Sequence, residues 1–430
     1  MKRGRVSIQG MPYVPGVVQG TLRRGQAAAA PGSIAVYSPA DRAPPPSTAA
    51  GIIVVEGAPF SHAMIRLRAA CVPIVFIDQA QAAQLPEGVE VVLDGMRGLI
   101  SDELDRATAS DVPPVPEPAS PVMLADGVAV QLLASVSSVS AAQAAVSCGA
   151  GGIGLVRSEY LSPPAGQVPD EAFYRTVIEA ICTTAAPLSV TLRLLDVARD
   201  KMPAWLPPIA ASDDVLGLHG VRLYTEASVR RVLHAQLAAL DAIDTHHTLR
   251  VLTPSLAQHE EMRYWVEYVR ERLARSLAIG AMAETPAAVL DMHHWFDTAD
   301  FVAMGCNDLM QCLFGADRDR PALRAYLDPY APALFRFLHG AADRSAGCLE
   351  RIQLCGLLAQ LPSILPVLVG LGYRVFSVDA HLVPYLAQSL HRLTLADATA
   401  LGTQVCEATD SREVVAALGL DLMGSEHNCF

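Results

Sequence analysis

Beyond Val122 the chain repeats one pattern, a short and mostly apolar run followed by a longer amphipathic segment. Val128 to Leu133, Gly152 to Leu155, Leu188 to Leu195, Leu249 to Leu252, Leu277 to Met282, Phe301 to Met304, Ile352 to Leu354 and Val375 to Val378 are eight such runs. Strands buried on both faces read as apolar runs, and strands that alternate with helices build parallel sheets. Eight such units in roughly 300 residues have the count and spacing of a (β/α)8 TIM barrel. Such a barrel sends the C-terminal ends of all its strands to one mouth, so polar residues at those ends are the first place to look for chemistry.

The residues before the barrel read differently. From Val6 to about Ile100, short strands are broken by Gly and Pro. Gly10 to Gly16 and Gly20 predict an opening hairpin, Gly32 to Tyr37 a further strand, and Gly51 to Val55 a buried one. A Gly/Pro turn then leads into a helix predicted over Ala63 to Cys71, which places His62 at or just inside its N-terminus. Asp111 to Pro121 is rich in proline and reads as a semi-rigid spacer. The expected organisation is a small α/β domain over residues 1–104, a linker over 105–121 and the barrel over 122–430.

Composition narrows the partners. A formal net charge of -12 with no basic stripe argues against nucleic acid, because phosphate-backbone binders carry clustered positive charge. No apolar run has the length of a membrane span, and the basic N-terminus is not followed by an apolar signal core. Nine cysteines without Cys-x-x-Cys pairs fit reduced thiols, and a cytoplasmic location is expected.

Two strand ends carry the clearest chemistry. Gly280-Ala-Met-Ala-Glu284 and Phe301-Val-Ala-Met-Gly-Cys-Asn-Asp308 each pass from an apolar run to acidic or amide side chains. Glu284, Asn307 and Asp308 would suit a hard divalent ion such as Mg²⁺, which takes one or two carboxylates plus water and phosphate oxygens. Arg157, Arg193, Arg222 and Arg318 stand at or after strand ends. Taken singly each is an ordinary surface ion-pair partner, but four together suit an anionic substrate, since a guanidinium binds carboxylate or phosphate bidentately. His62 reads either as a partly buried cap residue or as a histidine that is itself phosphorylated. The helix N-terminus and Arg68 would then lie near the new charge.

Gly57-Ala-Pro-Phe-Ser-His62-Ala-Met-Ile-Arg-Leu-Arg68, Gly305-Cys-Asn-Asp-Leu309 and Gln353-Leu-Cys-Gly356 resemble, in this chain order, motifs of the phosphoenolpyruvate-utilising enzymes. That family includes Enzyme I of the sugar phosphotransferase system, phosphoenolpyruvate synthase and pyruvate phosphate dikinase. The resemblance covers nearly the whole chain. It implies a swivelling phosphohistidine domain followed by a barrel that binds phosphoenolpyruvate or pyruvate. Carried over residue by residue, it implies that Arg157, Arg193, Arg222 and Arg318 grip phosphoenolpyruvate, Asn307 contacts its phosphate, Glu284 and Asp308 hold Mg²⁺, His62 takes the phosphoryl group and Cys355 handles the proton. It further implies a protein donor or acceptor of the phosphoryl group supplied in trans, and a homodimer through the barrel.

Several positions depart from the family pattern. Phe60 replaces Thr in Thr-Ser-His, Leu194 replaces Thr after the second arginine, Ala198-Arg199 replaces Gly-Gly, Leu357 replaces Glu after Cys-Gly, and Gln360-Leu361 replaces Gly-Asp. The principal ligands remain while their supporting residues change, which favours reduced or specialised activity. The leading expectation is Mg²⁺-dependent phosphoryl transfer between phosphoenolpyruvate and His62. The alternative is a catalytically weak or inactive regulator or scaffold that binds phosphoenolpyruvate, and a lyase-type barrel comes third because it gives His62 no purpose. In the acid role Cys355 meets an opposing influence, since arginines and Mg²⁺ should draw a thiol toward thiolate.

Overall fold

The computed structural model describes residues 6–39, 48–68, 72–103, 121–163, 166–198, 202–207, 209, 216–243, 246–361 and 363–420. Residues 105–120 of the Pro-rich linker, Arg199 and the last three residues of the helix predicted to end at Cys71 lie outside them. The chain divides into two compact units, Met1–Pro116 with Ala316–Asp328 and Gly419–Phe430, and Glu117–Gly315 with Pro329–Leu418.

The first unit is built on an eight-stranded sheet. Its strands are β1 (Ser7–Gln9), β2 (Met11–Val14), β3 (Val17–Arg23), β4 (Ser33–Tyr37), β5 (Gly51–Val55), β6 (Ile74–Ile77), β7 (Glu90–Asp94) and β8 (Leu99–Ser101), in the spatial order 1-8-7-3-4-5-6-2. β3 to β6 run parallel, and β4, β5 and β6 are almost wholly buried, as their β-branched runs require. The expected opening hairpin does not form. β1 pairs with β8 and β2 with β6, so these two short strands cap opposite edges of the sheet. Pro12 has no N–H to give to a ladder on both sides, and an edge is where such a strand is tolerated.

The second unit is the barrel. Its strands are β10 (Ala129–Val136), β11 (Ile153–Arg157), β12 (Val190–Arg193), β13 (Leu249–Leu256), β14 (Ala278–Ala283), β15 (Phe301–Gly305), β16 (Ile352–Cys355) and β17 (Val375–Asp379), with β9 (Val122–Met123) antiparallel to β10. Each is parallel to the next, and β10 pairs with both β17 and β11, which closes the ring. All eight predicted runs are strands of this barrel. Leu155, Leu252, Met282, Phe301, Ala303 and Cys355 form one buried cluster. Inside the wall the Gln353 amide donates to the carbonyl of Gly154 at 2.9 Å, and the Ser135 and Ser377 hydroxyls meet at 2.9 Å. These bonds give partners to the Gln353 amide nitrogen and to the two hydroxyls, which burial would otherwise leave costly. No helix among the described residues is long and apolar enough to cross a membrane.

Phe376 on β17 is fully buried. Replacing it with Ala should remove about 3–5 kcal/mol of stability. The expected readout is a lower urea midpoint for the barrel transition at an unchanged slope.

Candidate active site

Six consecutive strands, β11 to β16, deliver side chains to one mouth. Arg157 is the last residue of β11 and Arg193 the last of β12, and the two are register partners. Glu284 follows β14 directly, while Asn307 and Asp308 lie in the first turn of the helix Cys306–Phe314 that follows β15. Cys355 ends β16 opposite Gly305.

Arg193 is 6% exposed and held rigidly. One terminal nitrogen, Nη2, donates to Glu159, and the other, Nη1, lies 2.9 Å from Asp196 Oδ2 and 3.6 Å from Met282 Sδ. Burial alone would favour loss of its charge, but Asp196, Glu159 and Glu284 outweigh it and keep the guanidinium firmly protonated. The backbone between Arg193 and Asp196 is pinned as well. Gln236 Oε1 accepts the Leu195 N–H at 2.8 Å, and the Tyr224 hydroxyl donates to the Leu195 carbonyl at 2.9 Å.

Arg222 behaves differently. It lies in the turn Gly220–Thr225, half exposed, with Nε 3.4 Å from Glu261 Oε1. An exposed pair of this kind contributes about 0–1 kcal/mol, so Arg222 can leave Glu261 for a ligand at small cost.

Asn307 is oriented by backbone rather than by side chains. Its Oδ1 accepts the Leu357 N–H at 2.8 Å, which turns its amide nitrogen, a donor, the other way. Gly356 makes room for this. It has φ +104°, and a Cβ there would sit 2.9 Å from Asn307 Oδ1. Leu357 itself is buried, as is Leu194, so these two departures from the family pattern are packing residues.

Glu284 is 6% exposed and its Oε2 accepts the Ser255 N–H at 3.2 Å. A buried carboxylate is costly unless it is paired or coordinates a metal. No group of three or more His, Cys, Asp or Glu able to hold a metal is gathered among the described residues. Glu284 and Asp308 could hold Mg²⁺ in its other habit, two carboxylates completed by water and ligand oxygens. This donor set fits the ion, since Glu284 brings a fixed, buried carboxylate to the mouth.

Cys355, 4% exposed, donates its thiol proton to the Met304 carbonyl at 3.4 Å. Burial is the main cause that pushes its pKa up to about 12, with Glu284 adding to the rise while Arg193 and Arg157 oppose it. The expected pull toward thiolate is therefore overruled in the ligand-free protein, and by burial rather than by a bound substrate.

His62 and Arg318 belong to the first unit. His62 is the first residue of a six-residue helix, His62–Leu67, just after the buried Ser61, whose hydroxyl accepts the Met64 N–H at 3.4 Å. Arg68 is buried with its guanidinium 5.0 Å from the centre of the Tyr13 ring. Arg318 is buried in Ala316–Asp328, the same segment in which Arg324 pairs with Glu56 at 2.9 Å. Two residues at the mouth went without an assigned role in the sequence. Glu159 stands two positions after Arg157, and the only sign of Ser255 is Pro254 interrupting a strand-like run.

The family of PEP-utilising enzymes, through its PEP-binding domain, matches residues 116–395. The chain belongs to this family. Among its relatives, the phosphoenolpyruvate-protein phosphotransferase of Streptomyces coelicolor is 31% identical over 86% of this chain and 67% of its own length. The protein of the same name from Haloferax volcanii is 30% identical over 87% and 69%. A multiphosphoryl transfer protein of Rhodobacter capsulatus is 29% identical over 86% of this chain and 46% of its own length. The chain thus spans about half to two thirds of the length of these curated relatives.

Site-resolved labelling with iodoacetamide tests the state of Cys355. Its thiolate should appear with an inflection near 12 instead of the ordinary 9.0. At pH 9 labelling should lag that of an exposed thiol by on the order of 10²-fold. The sign for stability follows. Because the folded pKa is raised, the contribution of the protonated thiol is intact below about 9 and is lost as pH climbs toward 12.

Proposed function

We propose that the chain is a phosphotransferase moving the phosphoryl group between phosphoenolpyruvate and His62, with a protein partner in trans as the next donor or acceptor. The observation that carries this reading is the arc of Arg157, Arg193, Glu284, Asp308 and Cys355 at the ends of β11, β12 and β14 to β16 in a barrel from a PEP-utilising family. The names of the relatives, phosphoenolpyruvate-protein phosphotransferase and multiphosphoryl transfer protein, support the same class of reaction.

In this mechanism Arg193 and Arg157 fix the anionic substrate, and Arg222 swings from Glu261 to add a further fork. Asn307 presents its amide nitrogen to a phosphate oxygen. Glu284 and Asp308 would hold Mg²⁺, which when bound offsets negative charge on the phosphoryl and enolate oxygens. A neutral His62 imidazole attacks phosphorus, the bridging P–O bond breaks, and its electron pair passes to the enolate. Neutral imidazole is available near pH 7 because its ordinary pKa is about 6.5. The Cys355 thiol then protonates the methylene carbon, giving pyruvate and a thiolate that regains its proton from solvent. Positioning and electrostatics are the main resources for such a transfer.

Incubation with phosphoenolpyruvate and Mg²⁺ should yield pyruvate and an acid-labile phosphoryl adduct that is absent from His62→Ala. In Cys355→Ala, pyruvate formation should slow by roughly 10²- to 10⁴-fold while adduct-site occupancy still depends on His62. Substrate binding without any adduct would instead favour the regulator, a reading that the buried Leu194 and Leu357 in place of polar family residues support.

A further inference from the structure

Ser255 lies where β13 departs from regular pairing. Thr253 faces Ala281 of β14 and Leu256 faces Ala283, so three steps along one strand match two along the other. The extra residue is a bulge, the usual device for re-aiming a side chain beside an active site. Ser255 takes up the distortion with φ 53°, a left-handed value that non-glycine residues seldom adopt. The turn that carries Arg222 closes over it. Gly220 has φ +53°, and a Cβ there would lie 2.4 Å from Ser255 Cβ and 3.3 Å from Asp196 Oδ1.

This conformation sets one hydroxyl between two carboxylates. Ser255 Oγ is 3.2 Å from Glu284 Oε2 and 3.2 Å from Asp196 Oδ1, while its backbone N–H donates to the same Glu284 oxygen. Asp196 in turn is the ion-pair partner of Arg193 at 2.9 Å. A hydroxyl has one proton and can donate to one of these carboxylates at a time. Whichever carboxylate offers the greater free electron density takes it.

We propose that Ser255 is a positioning residue whose hydroxyl couples the cation ligand Glu284 to the anion-binding Arg193. The proposal rests on the reading of Glu284 as a cation ligand and concerns how that ligand communicates with the arginine. When Glu284 shares its lone pairs with a cation, the Ser255 hydroxyl turns its proton to Asp196. Asp196 then draws less on Arg193, whose N–H groups become better donors to a substrate phosphate. Exchange in the other direction follows by linkage. Anything that ties up Arg193 frees Asp196 to take the hydroxyl and leaves Glu284 a better ligand for the cation, by the same factor.

The test is equilibrium binding, which is independent of turnover. Mn²⁺ affinity is measured by electron paramagnetic resonance with and without phosphoenolpyruvate, and phosphoenolpyruvate affinity with and without Mn²⁺, in the wild type, Ser255→Gly and Ser255→Ala. Glycine relieves the strain of the positive φ and alanine keeps it, so Ser255→Gly should be the more stable of the two variants. Both lack the hydroxyl, and both should lose coupling on the order of 10-fold, to the same extent. Wild-type coupling retained in Ser255→Gly would overturn the proposal, as would a loss confined to Ser255→Ala, which would mark a purely conformational role. Loss of Mn²⁺ binding in Glu284→Gln supports the underlying ligand assignment; retention there would overturn that assignment as well, whatever the coupling.

Discussion

Closure of the barrel is the constraint on which the candidate site depends. β10 must pair on one side with β17 and on the other with β11. Because every pairing around the ring is parallel, each strand ends on the same side. Residues as distant in sequence as Arg157 and Cys355 are thereby brought to one rim. The cost of placing so many charged groups there is met locally, by Glu159 and Asp196 on Arg193, by Ser255 on Glu284 and by the backbone of Leu357 on Asn307.

The two kinds of arginine at this rim differ in how firmly they are held. Arg193 is buried and fully engaged, so its geometry is preset and its charge is secured by neighbours. Arg222 is half exposed and weakly paired. A buried, engaged guanidinium offers a preset geometry, and an exposed, weakly paired one can reorient at little cost. Cys355 is buried as well, and that burial holds its thiol in the protonated form.

Much of this was legible in the sequence. The barrel strands could be read because parallel strands covered on both faces have to be apolar, and the strand ends could be read because polar residues interrupt those runs abruptly at Glu284 and Asn307. His62 was found at a helix start because a Gly/Pro turn precedes it. Other features depend on distances that no local pattern encodes. The opening strands looked like a hairpin because they are adjacent in sequence, yet their partners, β8 and β6, lie far along the chain. Burial is the main influence on the Cys355 thiol, whereas the arginines and Mg²⁺ expected around it suggested the opposite. Ser255 left only the faint sign of Pro254, because its placement comes from a bulge.

The bond that holds Asn307 has a consequence for how this rim can change. Its partner is the peptide N–H of position 357, a group every residue but proline supplies. The bond itself is therefore indifferent to which side chain stands there, and only the packing of the buried Leu357 limits what can replace it. Evolution, or a protein engineer, can vary what packs beside this amide while the peptide that aligns it stays as it is.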